Sequence, residues 1–289
     1  MQENSIKKLT LNEHLLKRLA RLKDSPDVLY SLGADINELL TRPSVAIVGS
    51  RKMTPYGRRV TEKFASDLSR AGVVIISGNA FGIDVTAQKA ALEAGGKVIS
   101  VIPSDLNHVY PASNQLIARK IVEFGGALIS EHADNKTPRA DEFLARNRII
   151  AALADAVLIP EAAERSGSLN TAKHAKEIQT PIYAVPGPID NLLSTGTNNL
   201  IKNGAHIATS ADDVLALLQV NPKSKQTSLL GATDIETSIL TVLSEGVADT
   251  TLLAHKTTPK LKELQTALTM LEINGRVSRD SAGNWRLDR

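Results

Sequence analysis

The sequence predicts an α/β protein built on a doubly wound, mostly parallel sheet, with a smaller domain of different style behind it. Two observations carry the first part of that expectation. Short apolar runs of strand length recur between Ser44 and Leu218, and a helical pattern follows each of them. The runs also end on glycine, serine or proline: Gly49-Ser50, Ser77-Gly78, Pro103-Ser104 and Pro186-Gly187, with Ser166-Gly167-Ser168 a little past Ile159. Right-handed βαβ crossovers then follow, and all these loops emerge at the carboxyl edge of one sheet. The expected domain is Rossmann-like and spans 41–220.

Strands are expected near 45–49, 73–77, 97–102, 127–130, 156–160 and 181–185. Helices are expected over 56–71, 83–94, 113–124, 143–154 and 169–178. Residues 1–40 read as a basic helical extension, with Leu11, Leu15, Leu16, Leu19 and Leu22 near helical spacing and Lys17, Arg18, Arg21 and Lys23 between them. Its plainest role is a docking helix with a solvated basic face.

The stretch 221–234, NPKSKQTSLLGATD, is polar and unpatterned and reads as a linker. Beyond it, 235–243, 251–256 and 259–273 are helical. The segments around Val277 and Trp285 form two short strands about the turn Ser281-Ala282-Gly283. Three helices and a hairpin make a winged-helix-like domain over 235–289. From Asp234 to Arg289 seven Lys and Arg face eight Asp and Glu, so this tail lacks the basic surface of a typical DNA reader.

Composition narrows the function. The chain has 289 residues, 42% hydrophobic content and no cysteine, so it can bury a large core but cannot use disulfides, thiol catalysis or cysteine-bound zinc. Its six histidines show no metal-ligand spacing, and no cofactor is expected. No apolar stretch approaches the roughly 20 residues of a membrane span, and the N-terminus lacks a signal-peptide core, so a cytoplasmic protein is expected. A net charge of +3 is compatible with nucleic acid without requiring it.

The chemistry concentrates at the first turn. In Ser44 to Gly57, SVAIVGSRKMTPYG, a buried strand runs into Gly49, Ser50, Arg51 and Lys52 before a helix. The glycine lets backbone N–H groups approach an anion, the helix N-terminus adds positive potential, and arginine offers a bidentate fork. The same turn also serves tight packing in proteins that bind no phosphate. Repetition of anion-compatible loops along one rim favours the binding reading.

The motifs VAIVGSRKMTPYG, SGNAFGID, HVYPASNQLI, GGALISE, FLARNRII, SGSLNTAKHAKE, VPG and GTNNLIKNGA occur here in this order. Together, from about Pro43 to Asp213, they resemble the DNA-processing protein A (DprA, also called Smf) family. That resemblance implies a non-enzymatic Rossmann-like domain that binds single-stranded DNA. It also implies loading of the RecA recombinase onto strands covered by single-strand-binding protein during natural transformation, and a homodimer.

Carried over by motif, Gly49, Ser50, Arg51, Ser77, Gly78, Ser166, Gly167 and Ser168 line a phosphate pocket, with Lys52 beside them. Phe143 is the stacking platform next to Arg146, Asn147 and Arg148. On residue pattern alone Phe143 reads rather as a core residue of its helix, with Arg146 paired to Glu142 one turn away. Lys173 and Lys176 either extend the basic rim or are solvated helix charges. Two departures stand out: Phe81 occupies the position of the arginine in the usual SGxARGID turn, and Gln88 that of a histidine. Phe81 either stacks or packs.

Enzymatic alternatives fit less well. Ser166 to His174 resembles the PGGxGTxxE loop of phosphoribohydrolases, but His174 falls where their glutamate stands, and Glu177 lies nearly one turn further on. A dinucleotide oxidoreductase needs GxGxxG where this chain has GSRK. A third reading makes the tail and the basic N-terminus contact surfaces of an interaction scaffold.

Overall fold

The computed structural model describes residues 6–133, 138–220, 233–244, 246, 249–257, 261–280 and 283–287. The chain divides into two compact units, Met1–Pro222 and Lys223–Arg289. Most of the expected linker (221–232), the start of the expected third tail helix (259 and 260) and Ser281-Ala282 of the expected turn lie outside the described residues.

In chain order the first unit runs β1 Lys7–Lys8, α1 Glu13–Leu19, β2 Tyr30–Gly33, α2 Ile36–Leu39, β3 Ser44–Ile47, α3 Pro55–Arg70, β4 Val74–Ser77, α4 Ile83–Glu93 and β5 Val98–Val101. It continues through α5 Gln115–Glu123, β6 Ala127–Ser130, α6 Ala140–Leu153, β7 Ala156–Ile159, α7 Ser168–Glu177, β8 Ile182–Ala184, α8 Thr195–Lys202, β9 His206–Ile207 and α9 Ala211–Leu217. The strands form one sheet in the order β1-β2-β6-β5-β4-β3-β7-β8-β9. From β6 to β9 every pair is parallel, and β2 joins β6 antiparallel.

Alternation along each strand sends its residues to two cores. Ala46, Val74, Ile76, Val101 and Ile159 meet α1, α6 and α7 on one face. Val45, Ile47, Ile75, Val98 and Leu158 meet α3, α4 and α9 on the other. Both faces are covered, which is why the strands are continuous apolar runs without polar alternation. The strand order reverses at β3, whose neighbours are β4 and β7. The carboxyl ends of β3 and β7 therefore open a crevice, the place where doubly wound sheets hold ligands.

The N-terminal segment is not an appended extension. β2 and β1 extend the sheet beyond β6, and Leu15, Leu19 and Leu29 are buried in the same core as α6. Its basic residues are not all solvated either. Arg18 bonds Asp155 at 2.5 Å and the Leu153 carbonyl, and Arg21 donates to Ala152 O at 3.0 Å. Two arginines thus satisfy carbonyls at the C-terminal end of α6, the negative end of its dipole. Through Arg18 and Arg21 this segment holds the helix that carries Phe143.

The second unit comprises α10 Asp234–Ser244, α11 Thr250–Thr257 and α12 Leu261–Ile273, then β10 Val277–Arg279 paired antiparallel with β11 Trp285–Leu287. Leu240, Leu253, Leu268 and Val277 pack with Trp285, the one tryptophan of the chain. The indole N–H donates to Thr250 Oγ1 at 3.2 Å, and Arg279 lies 4.3 Å from the ring centroid. Among the described residues of this unit three helices thus precede one antiparallel strand pair.

Candidate nucleic-acid interface

After β3 the chain turns sharply at Gly49, where a β-carbon would come within 2.6 Å of Ile83 Cγ1 and 2.8 Å of Glu161 O. Only glycine fits that approach. The following loop is pinned at Ser50, whose N–H donates to Glu161 O at 2.8 Å and whose carbonyl accepts from Ile83 N–H at 3.1 Å. Ser50 Oγ also accepts from Lys52 N–H at 3.2 Å, closing a small turn that leaves Arg51 exposed at its tip. The Glu161 carboxylate, itself buried, accepts from Thr54 N–H at 2.7 Å and from Thr54 Oγ1 at 2.5 Å. Thr54 in turn caps α3. Glu161 therefore ties the carboxyl end of β7 to both ends of the Gly49–Lys52 loop.

α6 supplies the next wall. Phe143, Arg146 and Asn147 stand at i, i+3 and i+4 and share the helix face that looks into the crevice, whereas Arg148 points elsewhere. The Arg51 guanidinium lies 5.1 Å from the Phe143 ring centroid, within cation–π range. Tyr110 meets the same ring edge-on, at 5.6 Å between centroids and 70° between planes. The third wall is the start of α7. Ser166 Oγ and Ser168 Oγ lie 2.8 Å apart, and Asn147 Nδ2 donates to Gly167 O at 3.2 Å. Here the positive end of a helix dipole and two hydroxyls face the same space. Thr171 Oγ1, one turn into α7, is buried without a hydrogen-bond partner.

These walls enclose a cavity of about 520 Å³, lined by Gly49, Ser50, Arg51, Lys52, Phe143, Arg146, Asn147, Ser166, Gly167 and Ser168 together with Asp84 and Thr171. Ten expected site residues from three separated segments thus meet at the crevice between β3 and β7.

Beneath the cavity Arg146 and Asp84 are buried on either side of Gly78, two opposite charges joined through its backbone. Arg146 donates to Gly78 O at 2.6 Å and to Val101 O, and Gly78 N–H donates to Asp84 Oδ2 at 3.0 Å. Burial pushes the Asp84 carboxyl up, opposed by Arg146 and by backbone N–H groups of Gly78, Ala80 and Gly49. Burial likewise lowers Arg146 to about 10, with Asp84 pulling it up and Arg51 pushing it further down. A β-carbon on Gly78 would fall within 2.6 Å of both the guanidinium and the Asp84 carboxylate.

Four of the expected residues stand apart from the cavity or support it from outside. Ser77 is fully buried and donates to Ile47 O at 2.7 Å, stitching β4 to β3. Gly78 links Arg146 and Asp84 through its backbone. Arg148 makes a bidentate bridge to Glu131 at 2.6 and 2.7 Å and donates to Asp24 O at 2.7 Å, so its fork is committed to holding elements together. Lys173 lies on the outer side of α7, 72% exposed and 3.9 Å from Glu177. The pairing of Arg146 with Glu142 does not occur. Glu142 instead accepts from Arg139 N–H at 2.8 Å at the start of α6, and the Arg146 guanidinium turns into the sheet edge. Gln88 is buried and donates to Ser100 Oγ at 2.9 Å, so it packs between α4 and β5.

Sequence reasoning did not single out Glu161, Thr54, Asp84 or Tyr110. Signals existed for two of them: Glu161 follows the apolar β7 run directly, and Thr54-Pro55 is a helix-start pair. The His174 imidazole lies 3.4 Å from Glu177 and does not line the cavity. Among the described residues no three His, Cys, Asp or Glu side chains cluster as a metal ion requires.

A doubly wound sheet whose switch-point crevice presents hydroxyls, a helix N-terminus, arginine and phenylalanine is a Rossmann-type fold with groups that suit anions and aromatic ring faces. The model of the family described as DNA recombination-mediator protein A matches residues 10–219, and the chain belongs to that family. Protein Smf of Escherichia coli is 37% identical over 254 residues, covering 85% of this chain and 68% of that protein. A DprA protein of Mycobacterium tuberculosis is 38% identical over 192 residues, covering 66% of this chain and 49% of its own length. The chain thus spans about half of that relative. Among solved structures, DNA processing protein A of Helicobacter pylori, described for its single-stranded DNA binding mode, superposes with a TM-score of 0.67 at 34% identity. That match covers 75% of this chain and 97% of the other.

Proposed function

We propose that this protein binds single-stranded DNA without catalysing a reaction on it and delivers the strand to a RecA-type recombinase. The observation that carries the reading is the Arg51 guanidinium over the Phe143 ring, at the mouth of a cavity otherwise lined by hydroxyls, glycine backbone and a helix start. Phosphate oxygens fit the Ser50–Lys52 loop and the Ser166–Ser168 helix start, and an unstacked base fits the Phe143 ring. A duplex hides its base faces and cannot use that ring. Gly49, Ser50, Arg51, Lys52, Phe143, Asn147, Ser166, Gly167 and Ser168 are the assigned contacts. Ser77, Gly78, Arg146 and Arg148 hold the walls in place, and Lys173 reaches only a strand that continues along α7.

Membership of a family described as a recombination mediator supports delivery to a recombinase, and loading onto strands covered by single-strand-binding protein and a homodimer belong to the same proposal. The relative of Helicobacter pylori, whose structure concerns single-stranded DNA binding, supports the DNA part.

Titration of labelled oligonucleotides tests the core of the proposal. Single strands of mixed sequence should bind more tightly than duplex, with log affinity falling by about 0.7 per neutralised phosphate against log salt. Equal affinity for duplex, or binding indifferent to salt, would sink it. Residues 1–222, which form a compact unit, should keep most of that affinity because every assigned contact lies within them. A well-folded truncation that loses roughly a hundredfold, about 2.7 kcal/mol, would move a major DNA site into the winged-helix unit.

A further inference from the structure

The rim of the cavity carries aromatic surface that packing does not require. Phe81 is 49% exposed and Tyr110 46% exposed, in a chain with 3% aromatic residues. Single exposed apolar residues are ordinary, so position has to decide their meaning. Phe81 lies on the loop between β4 and α4, next to Ala80, which lines the cavity, and two residues before Ile83, whose N–H donates to Ser50 O. Asn79 O accepts from Asn114 Nδ2 at 2.8 Å, which ties this loop to the segment that begins at Tyr110. Tyr110 in turn touches Phe143. Among the described residues the only other exposed aromatic is Phe124, which follows the C-terminal end of α5 at the opposite edge of the sheet.

Two exposed rings and the half-buried Phe143 therefore share one rim, linked through hydrogen-bonded loops. The stretch from Gly78 to Ile83 holds no charged residue, so what this loop offers a passing strand is a ring face. Bases present ring faces whatever their identity, and a base driven out of water onto an aromatic ring needs no ion pair.

We infer that Phe81 is a second base-stacking platform, outside the cavity, for a nucleobase of the strand whose phosphates the Gly49–Lys52 loop takes. The inference rests on the single-strand reading and extends the binding track across the β4–α4 loop. Tyr110 meets the Phe143 ring edge-on.

The test uses the full chain and labelled oligothymidylate of about 20 nucleotides, long enough to leave the cavity. Phe81→Ala should weaken binding about tenfold with the salt slope unchanged. Phe81→Tyr should bind like the parent, and Phe81→Leu, which keeps apolar bulk without a ring, should stay weak. On an oligonucleotide lacking bases throughout, parent and Phe81→Ala should bind alike. Thermal melts accompany each titration; should the alanine variant melt early, the Leu and Tyr pair carries the comparison by itself. Phe81→Leu binding as tightly as the parent, or a Phe81→Ala deficit that persists without bases, overturns the assignment. If the parent protein fails to bind single strands at all, the proposed function falls instead.

Discussion

Arg146→Ala is expected to lower the thermal midpoint of the first unit by roughly 10 °C. Arg146 is 4% exposed, its guanidinium donates to Gly78 O and Val101 O, and its charge offsets that of the buried Asp84. Removing one partner of such a pair strands the other charge and costs about 3–5 kcal/mol. For a unit of this size each kcal/mol moves the midpoint by about 2–4 °C. Differential scanning calorimetry of Arg146→Ala, Asp84→Ala and the double variant measures the effect and its coupling. The double variant should lose clearly less than the two singles added together, because neither charge is then left alone. A drop of only a degree or two in Arg146→Ala would mean that Asp84 is neutral or hydrated, and the pair would not be what shapes the cavity floor.

The second large effect is on DNA. Arg51→Ala should weaken single-strand binding by roughly 1.5–3 kcal/mol, the range of a charged hydrogen bond, and should flatten the salt slope by about 0.7. Phe143→Ala should cost about 1–3 kcal/mol with the slope unchanged, because a ring neutralises no phosphate. Since Arg51 lies over the Phe143 ring, the two substitutions are predicted to be coupled and the double variant to lose less than the product of the singles. Fluorescence anisotropy at several salt concentrations separates the two kinds of loss. A Phe143→Ala variant that flattens the slope as much as Arg51→Ala would show that the ring acts only by holding the arginine. Both variants binding like the parent would remove the cavity from the DNA path.

The six expected strands appear within two residues at each end, because a doubly covered parallel strand must be apolar on both sides and leaves a continuous run. What escaped was the rest of the sheet. β2, with Tyr30, Ser31 and Leu32 only half buried between β1 and β6 and antiparallel to both, carries no such run. β9 is two exposed residues whose strand character comes only from pairing with β8. The Leu-rich N-terminus was legible as a docking helix, but its integration into the main core was not. That depends on where Arg18 and Arg21 find the end of α6.

The candidate site divides along the same line. Sequence alone determined the class of the fold, the rim on which its loops collect, and the residue types that meet there: glycine for close backbone approach, hydroxyls for anions, arginine and phenylalanine for a strand. These are local properties, set by φ/ψ freedom, hydrogen-bonding capacity and the period of apolar residues. Only the tertiary structure decided which arginine faces solvent. Arg51, Arg146 and Arg148 are chemically equal, yet Arg51 stands at a loop tip, Arg146 turns into the sheet edge toward Asp84, and Arg148 is gripped by Glu131. Their roles depend on carboxylates and carbonyls distant in sequence. Burial makes an unpaired charge so costly that the nearest such partner, rather than the arginine's own neighbours along the chain, determines where each guanidinium goes.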